Sequence, residues 1–398
     1  MNASPWLLEE NTTFLNHGSF GSCPRPVLAA QDELRQRMEA EPVRFMVREL
    51  PGLLHAARVA LAEVVCAEPA NLAFVRNATT GVNAVLRSRQ FEPGDELLVT
   101  DHEYNACRNA LDYVANRSGA CVVVAPLPFP LRGAEQVLEA ILGRTTARTR
   151  LVLVDHVTSQ TAMVLPVREL ALELRERGID LLVDGAHAPG MLPLTLEAMG
   201  ASWYTGNCHK WLCAPKGTAL LWARADRQAD LMPTTISHGY NRAGLSDTRF
   251  HDLFDWTGTD DPTSFLALPA AIEFLAALHP GGLMELRQRN HRLALQARDI
   301  LCEALQVPPP VPDSMLGSMA AVPLPDGAAG PGGSPLYEDP LQDRLIADHR
   351  IQVPVIPWPA PPKRLIRISA QDYNSPAQYR KLAQALPAAL AAESRASV

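Results

Sequence analysis

Two kinds of apolar spacing alternate along this chain, and the switch between them outlines a fold before any chemistry is considered. Over 26–68 apolar residues recur at helical intervals (Val27, Leu28, Leu34 and Met38, then Leu53, Leu54, Ala57, Val59, Leu61 and Val64), with an interruption near Pro51-Gly52, which predicts two successive helices. Short, almost wholly apolar runs follow at 72–76, 96–100, 121–125, 150–155 and 179–184. Runs of that length without alternation fit strands buried on both faces. Helical spacing separates them, most clearly over 134–142 and 167–177. Strand and helix alternating across 70–225 predict an α/β protein with a mainly parallel sheet covered on both sides. A long helix is expected over 282–305, then a proline-rich turn at 307–310 and a Gly/Pro-rich loop over 326–334 whose composition does not support a core. The expected division is an N-terminal arm over 1–25, a large domain over 26–270 and a smaller C-terminal α/β domain over 271–398.

Composition narrows the class of protein. Of 398 residues 47% are hydrophobic and 20% charged, the range of globular proteins. No run approaches the ~18 uncharged apolar residues of a membrane span. The first residues lack a basic stretch followed by an apolar one, so a cytoplasmic protein is expected. A net charge of −7 without a basic cluster argues against nucleic acid or an anionic membrane as partner. The seven cysteines are odd in number and form no CxxC pair, so neither a disulfide framework nor a metal site is expected.

The candidate chemistry gathers around one lysine. Lys210 lies in Tyr204-Thr205-Gly206-Asn207-Cys208-His209-Lys210-Trp211-Leu212, among small, polar and aromatic residues, where desolvation lowers an amine's pKa and frees a nucleophile. Upstream, the run ending at Asp184 and continuing Gly185-Ala186-His187 places a carboxylate at the carboxyl end of a buried strand, where α/β proteins hold ligands. That pairing suggests pyridoxal phosphate, a cofactor that needs a lysine for its aldehyde and a carboxylate for its ring nitrogen. Asn77-Ala78-Thr79-Thr80-Gly81, between a short strand and a helix, offers backbone N–H groups at a helix N-terminus for the phosphate.

These segments resemble the class V branch of the fold-type-I pyridoxal-phosphate enzymes over nearly the whole chain, from Phe14 to Tyr373, and Asn207-Cys208-His209-Lys210-Trp211 is similar in wording to the isopenicillin N epimerases and their relatives. The resemblance implies a fold-type-I transferase, with a mainly parallel seven-stranded sheet in the large domain. It further implies that Lys210 carries the cofactor and acts as base, that Asp184 keeps the ring nitrogen protonated, and that His187 supports Asp184 or the phenolic oxygen. Ala78, Thr79, Asn207 and His209 would hold phosphate. A ring from the loop after the 96–100 run would stack on the cofactor, and both His102 and Tyr104 are open to that role. Ser159 would reach the phenolic oxygen. Gly258 and Thr259 would cross to the phosphate of a second subunit, which implies a homodimer with shared active sites. The arm residues Asn16, His17 and Phe20 would touch substrate.

In the strand Arg364–Ser369, alternation groups Arg367 with Leu365 and Ser369, residues able to bury it, and a buried guanidinium needs a partner. The resemblance gives Arg367 the substrate's α-carboxylate; Arg364, on the other face, is expected to tolerate replacement. The implied activity is at the α-carbon of an amino acid, with epimerisation favoured, and a β-lyase cleaving C–S or a related bond or an aminotransferase as alternatives. Segment 341–362 has no cysteine, which speaks against persulfide chemistry. A non-catalytic binding protein on the same fold would be signalled by loss of the lysine or the aspartate, and both are present.

Overall fold

The computed structural model describes residues 4–244, 246–327 and 339–396; most of the Gly/Pro-rich loop expected over 326–334 lies outside them. Its centre is a seven-stranded sheet of Leu72–Val75 (β1), Glu96–Thr100 (β2), Cys121–Ala125 (β3), Thr149–Asp155 (β4), Asp180–Asp184 (β5), Trp203–Asn207 (β6) and Ala219–Ala223 (β7), in the order β1-β7-β6-β5-β4-β2-β3. Pairing is parallel from β3 through β6, and only β7 runs against its neighbours.

Each apolar run feeds two cores, because successive strand residues point to opposite faces. In β4, Leu151 and Leu153 pack with Val82 and Leu86 of the helix Ala78–Ser88 and with Leu111 of the helix Asn105–Ser118. Val152 and Val154 join the other cluster, with Val137 and Ile141 of Ala134–Leu142 and Leu170 and Leu174 of Val167–Glu176. Burial on both faces explains why the inner strands read as continuous apolar runs; the edge strand β3 is only partly covered.

The first two helices differ in detail from the sequence expectation. Arg25–Ala40 ends at Glu41, and the backbone is then helical again through Pro42–Arg44, a π-helical stretch Phe45–Glu49 and Leu50–Val65, so the interruption lies at Glu41 rather than at Pro51-Gly52. Pro51 sits directly behind the π-helical stretch, where the regular ladder of backbone bonds is already shifted.

A second, antiparallel sheet is built from Met319–Leu324 (β8), Val355–Pro357 (β9) and Arg364–Ser369 (β10), in the order β9-β10-β8, beside the long helix Gly282–Leu305. The N-terminal arm is tied to this part of the chain: Thr13–Phe14 pairs in parallel with Ile351–Gln352. Among the described residues no single helix is long and apolar enough to cross a membrane.

Topology places the site. β1 is antiparallel to β7, which is antiparallel to β6, so β1 runs with β6 and with the parallel strands. The segments after Val75, Thr100, Asp155, Asp184 and Asn207 therefore leave the same sheet edge, the carboxyl edge at which open α/β sheets bind ligands.

Candidate active site

Lys210 follows β6 and Asp184 ends β5. Their loops are locked together by close backbone approach: a Cβ on Gly190, which has φ +89°, would meet Trp211 main-chain atoms at 2.4 Å. Lys210 Nζ lies 3.2 Å from His187 Nε2, while the Trp211 indole N–H donates to His187 Nδ1 at 3.5 Å. A filled Nδ1 acceptor favours the tautomer protonated at Nε2, the nitrogen facing the lysine. Burial, and then the Arg367 guanidinium, hold the Lys210 amine down to about 8, against pulls in the other direction from Asp184 and Asp155. Burial and the lysine push His187 well below the ordinary imidazole range, so it is neutral at pH 7.

Asp184 is buried and accepts from the Ala186 N–H at 2.9 Å and from the Cys107 thiol at 3.0 Å. Burial raises its pKa, while those two donors and Lys210 act against the rise. Two more acids lie close by. Asp155 is the register partner of Asp184 on β4, and Glu103 precedes the helix that carries Cys107. Burial first, then neighbouring carboxylates, lift both well above the usual carboxylate range.

The proposed phosphate cup is formed at the start of Ala78–Ser88, where the Asn77 side chain caps the helix by accepting from the Thr80 N–H at 2.8 Å. Asn207 is tied into the same place, since its Oδ1 accepts from the Ala78 N–H at 2.8 Å. The half-buried His209 shares a hydrogen bond between Nδ1 and the Thr218 carbonyl at 2.9 Å; burial and Lys210 hold its pKa down to about 4. Gly258 and Thr259 are exposed and line, with Arg76 and Thr80, a cavity of about 370 Å³.

The structure separates the two candidate rings. His102 is fully buried, with Nδ1 2.8 Å from the Thr161 hydroxyl and its ring 4.2 Å from that of Trp358. Tyr104 is 41% exposed and caps the helix whose first turn carries Cys107 to Asp184, so its backbone, not that of His102, adjoins the Asp184 contact.

The arm joins the lysine loop to the arginine strand. His17 is buried: Nε2 donates to the Lys210 carbonyl at 3.0 Å, and Nδ1 lies 2.8 Å from the Tyr373 hydroxyl. Its contacts are thus with the main chain behind the lysine. Lys216 donates to the Gly21 carbonyl at 2.8 Å, and Gly18 N–H donates to Ser369 Oγ at 3.0 Å. Phe20 is 64% exposed.

Arg367 has no exposed surface, and among the described residues no carboxylate pairs with it. Its guanidinium meets neutral oxygens only: the Ser159 carbonyl, Ser19 Oγ at 2.9 Å and Asn16 Oδ1 at 3.5 Å, with Nε unpartnered. Ser159 thus serves Arg367. The expectation that Arg364 is replaceable is corrected here: it is equally buried and is bonded to Asp339 at 2.9 Å and Glu393 at 2.6 Å.

Sequence reasoning missed Ser19, Cys107, Glu103 and Gln160. Ser19 and Gln160 stand inside stretches already singled out, and their polarity at a strand end or arm was the available signal. Cys107 reads as an ordinary core thiol until the fold brings it to Asp184.

The residues fit pyridoxal 5′-phosphate on grounds internal to the structure. Gln160 Oε1 and Asp155 Oδ2 are buried polar atoms without a partner, at the end of the strand beside Asp184. Arg367, a fully buried cation that meets only neutral oxygens, and the half-buried Lys210 amine, lowered by that guanidinium, suit a ligand that brings both an anion and an aldehyde.

Comparisons with known proteins agree. The profile of the family "Aminotransferase class-V" matches residues 15–326. An isopenicillin N epimerase of Amycolatopsis lactamdurans is 38% identical over 95% of each chain. A probable chloroplastic L-cysteine desulfhydrase of Arabidopsis thaliana is 30% identical over 94% of this chain and 82% of its own. Among solved structures, a cystine C–S lyase in complex with cysteine persulfide superposes with a TM-score of 0.77 at 22% identity, over 95% of this chain and 97% of the other. The chain belongs to the class-V aminotransferase family and is an enzyme whose cofactor is pyridoxal 5′-phosphate.

Proposed function

We propose that this enzyme acts at the α-carbon of an α-amino acid and inverts it, as an epimerase. The observation that carries the amino-acid part is Arg367: a buried guanidinium with only neutral neighbours gains most from a carboxylate ligand, which its fork accepts through two parallel bonds. The preference for epimerisation rests on the relatives, since two isopenicillin N epimerases match at 38% and 34% identity.

Pyridoxal phosphate, when bound, carries the substrate amine and takes up the electron pair of the broken bond at the α-carbon. The chain's own residues do the rest. Lys210 would hold the cofactor, and its amine, when free, would serve as the base that moves the α-proton; a pKa near 8 suits that task around neutrality. Asp184 accepts the ring N–H. His187 and Gln160 would serve the phenolic oxygen, a role for which Ser159, bonded to Arg367, is not free. The N-terminus of Ala78–Ser88, with Thr79, Asn207 and His209, receives the phosphate, and Tyr104 covers the ring. Asn16 and Ser19 brace Arg367. Gly258 and Thr259, exposed on this chain, close the phosphate site of a second subunit in a homodimer.

A second reading is a C–S β-lyase, favoured by the L-cysteine desulfhydrase relative at 30% identity. Incubation of candidate amino acids in deuterium oxide distinguishes the two. Epimerisation yields α-deuterated amino acid of inverted configuration and no keto acid; release of keto acid with sulfide or thiol would overturn it in favour of the lyase.

A further inference from the structure

Asp184 is the meeting point of more acid than one cofactor nitrogen requires. The Cys107 thiol is 3.0 Å from Asp184 Oδ2, and the ligating atoms of Glu103, Cys107 and Asp184 all lie within 4.8 Å of one another. Glu103 is buried and neither carboxyl oxygen has a hydrogen-bond partner; Asp155, in register beside Asp184, has one such orphan. Four ionisable groups in so small and dry a volume do not all carry charge. Burial and mutual repulsion lift Glu103 and Asp155 well above the usual carboxylate range and push the Cys107 thiol well above its own. Asp184 alone receives two donors, the Ala186 N–H and the Cys107 S–H.

We propose that Cys107 is a positioning residue for Asp184: its S–H, donating to Oδ2, favours negative charge on Asp184 within this crowded cluster and turns that carboxylate toward a cationic ring N–H. This rests on the assignment of Asp184 to the cofactor's ring nitrogen. The chemical class recognised is a protonated aromatic nitrogen, and the thiol acts on it only through Asp184.

The test measures binding to the cofactor-stripped full-length protein, by calorimetry, of pyridoxal phosphate and of its analogue with the ring nitrogen replaced by carbon. The ratio of the two dissociation constants isolates the nitrogen contact, whereas general damage to the site weakens both ligands alike. Cys107→Ala lowers the ratio by about threefold to tenfold, the worth of one hydrogen bond. Cys107→Ser, which retains a donor, keeps it near the wild-type value, and so does Glu103→Gln, which leaves the contact between Cys107 and Asp184 in place. An unchanged ratio in Cys107→Ala, or equal loss of both ligands, overturns the proposal. Wild-type protein without preference for the nitrogen-bearing ligand, or Asp184→Asn that retains it, would instead sink the assignment of Asp184. Should Cys107→Ala not fold, the infrared S–H band of Cys107 serves: it shifts on Asp184→Asn, and a band that does not move contradicts the contact.

Discussion

Arg364 and Arg367 share one strand, and both are buried, yet they answer to different partners. Arg364 is clasped by Asp339 and Glu393, so its charge is balanced within the chain. Arg367 is held by Ser159, Ser19 and Asn16, none of which is charged, and its nearest electrostatic consequence is a lowered Lys210. A buried cation whose anion comes from the same chain serves the fold; one surrounded by neutral acceptors is arranged for an anion from outside. The two faces of β10 make the distinction local: one carries Arg364 to the C-terminal helix Pro376–Ala396, which holds Glu393, and the other carries Arg367 to the arm and the strand-end loop after Asp155.

The bluntest way to break this comparison is to remove the centre that Arg367 faces. Lys210→Ala eliminates covalent attachment of the cofactor while the protein stays folded; borohydride reduction and peptide mapping of the wild type place the pyridoxyl group on Lys210, and finding it on Lys216 would refute the site. Next in size is Arg364→Ala, which strands the buried Glu393 and the half-buried Asp339 and costs about 3–5 kcal/mol of stability, read from the denaturant midpoint. Arg367→Ala leaves that midpoint nearly unchanged or raises it, and weakens amino-acid binding by about a hundredfold or more, the worth of two charge-assisted bonds.

A pH profile sharpens the contrast further. Lys210 in the folded chain titrates at about 8, below its unfolded value, so the neutral nucleophile accumulates as pH rises through that point. Capture of pyridoxal phosphate by the cofactor-free protein therefore slows roughly tenfold per pH unit below it. Arg367→Ala moves this profile to higher pH, because one of the charges disfavouring the ammonium is gone. An Arg364 substitution that folds does not move it. Smallest is Ser19→Ala, which removes one neutral acceptor from Arg367 and alters amino-acid binding by no more than about threefold, one ordinary hydrogen bond exchanged for water.

Much of this was legible in the sequence, and the reasons are physical. Strands in a covered sheet have no polar face, so the apolar runs marked five of the seven central strands directly; Asp184 stood out because it ends such a run, and Lys210 because of its small, polar and aromatic neighbours. Pairing across the chain was not legible. Nothing local to Arg364 points to Glu393, and nothing in the 101–107 stretch says that Cys107 rather than His102 reaches Asp184. The helix interruption was misplaced for a related reason: Pro51 looks like a breaker, yet the helical backbone runs on through it behind a π-helical stretch. His17 was expected at substrate and is found on the Lys210 carbonyl, a contact that depends on how the arm threads between two sheets.

The most direct test of the central claim compares two ligands on three proteins. An α-amino acid substrate and the amine formed by removing its carboxylate are titrated into the wild type, Arg367→Ala and the folded Arg364→Lys variant, with binding followed by the cofactor's absorbance. The account predicts that the wild type prefers the amino acid by about a hundredfold or more, that this preference disappears in Arg367→Ala, and that it persists in Arg364→Lys. A preference that survives in Arg367→Ala would contradict it.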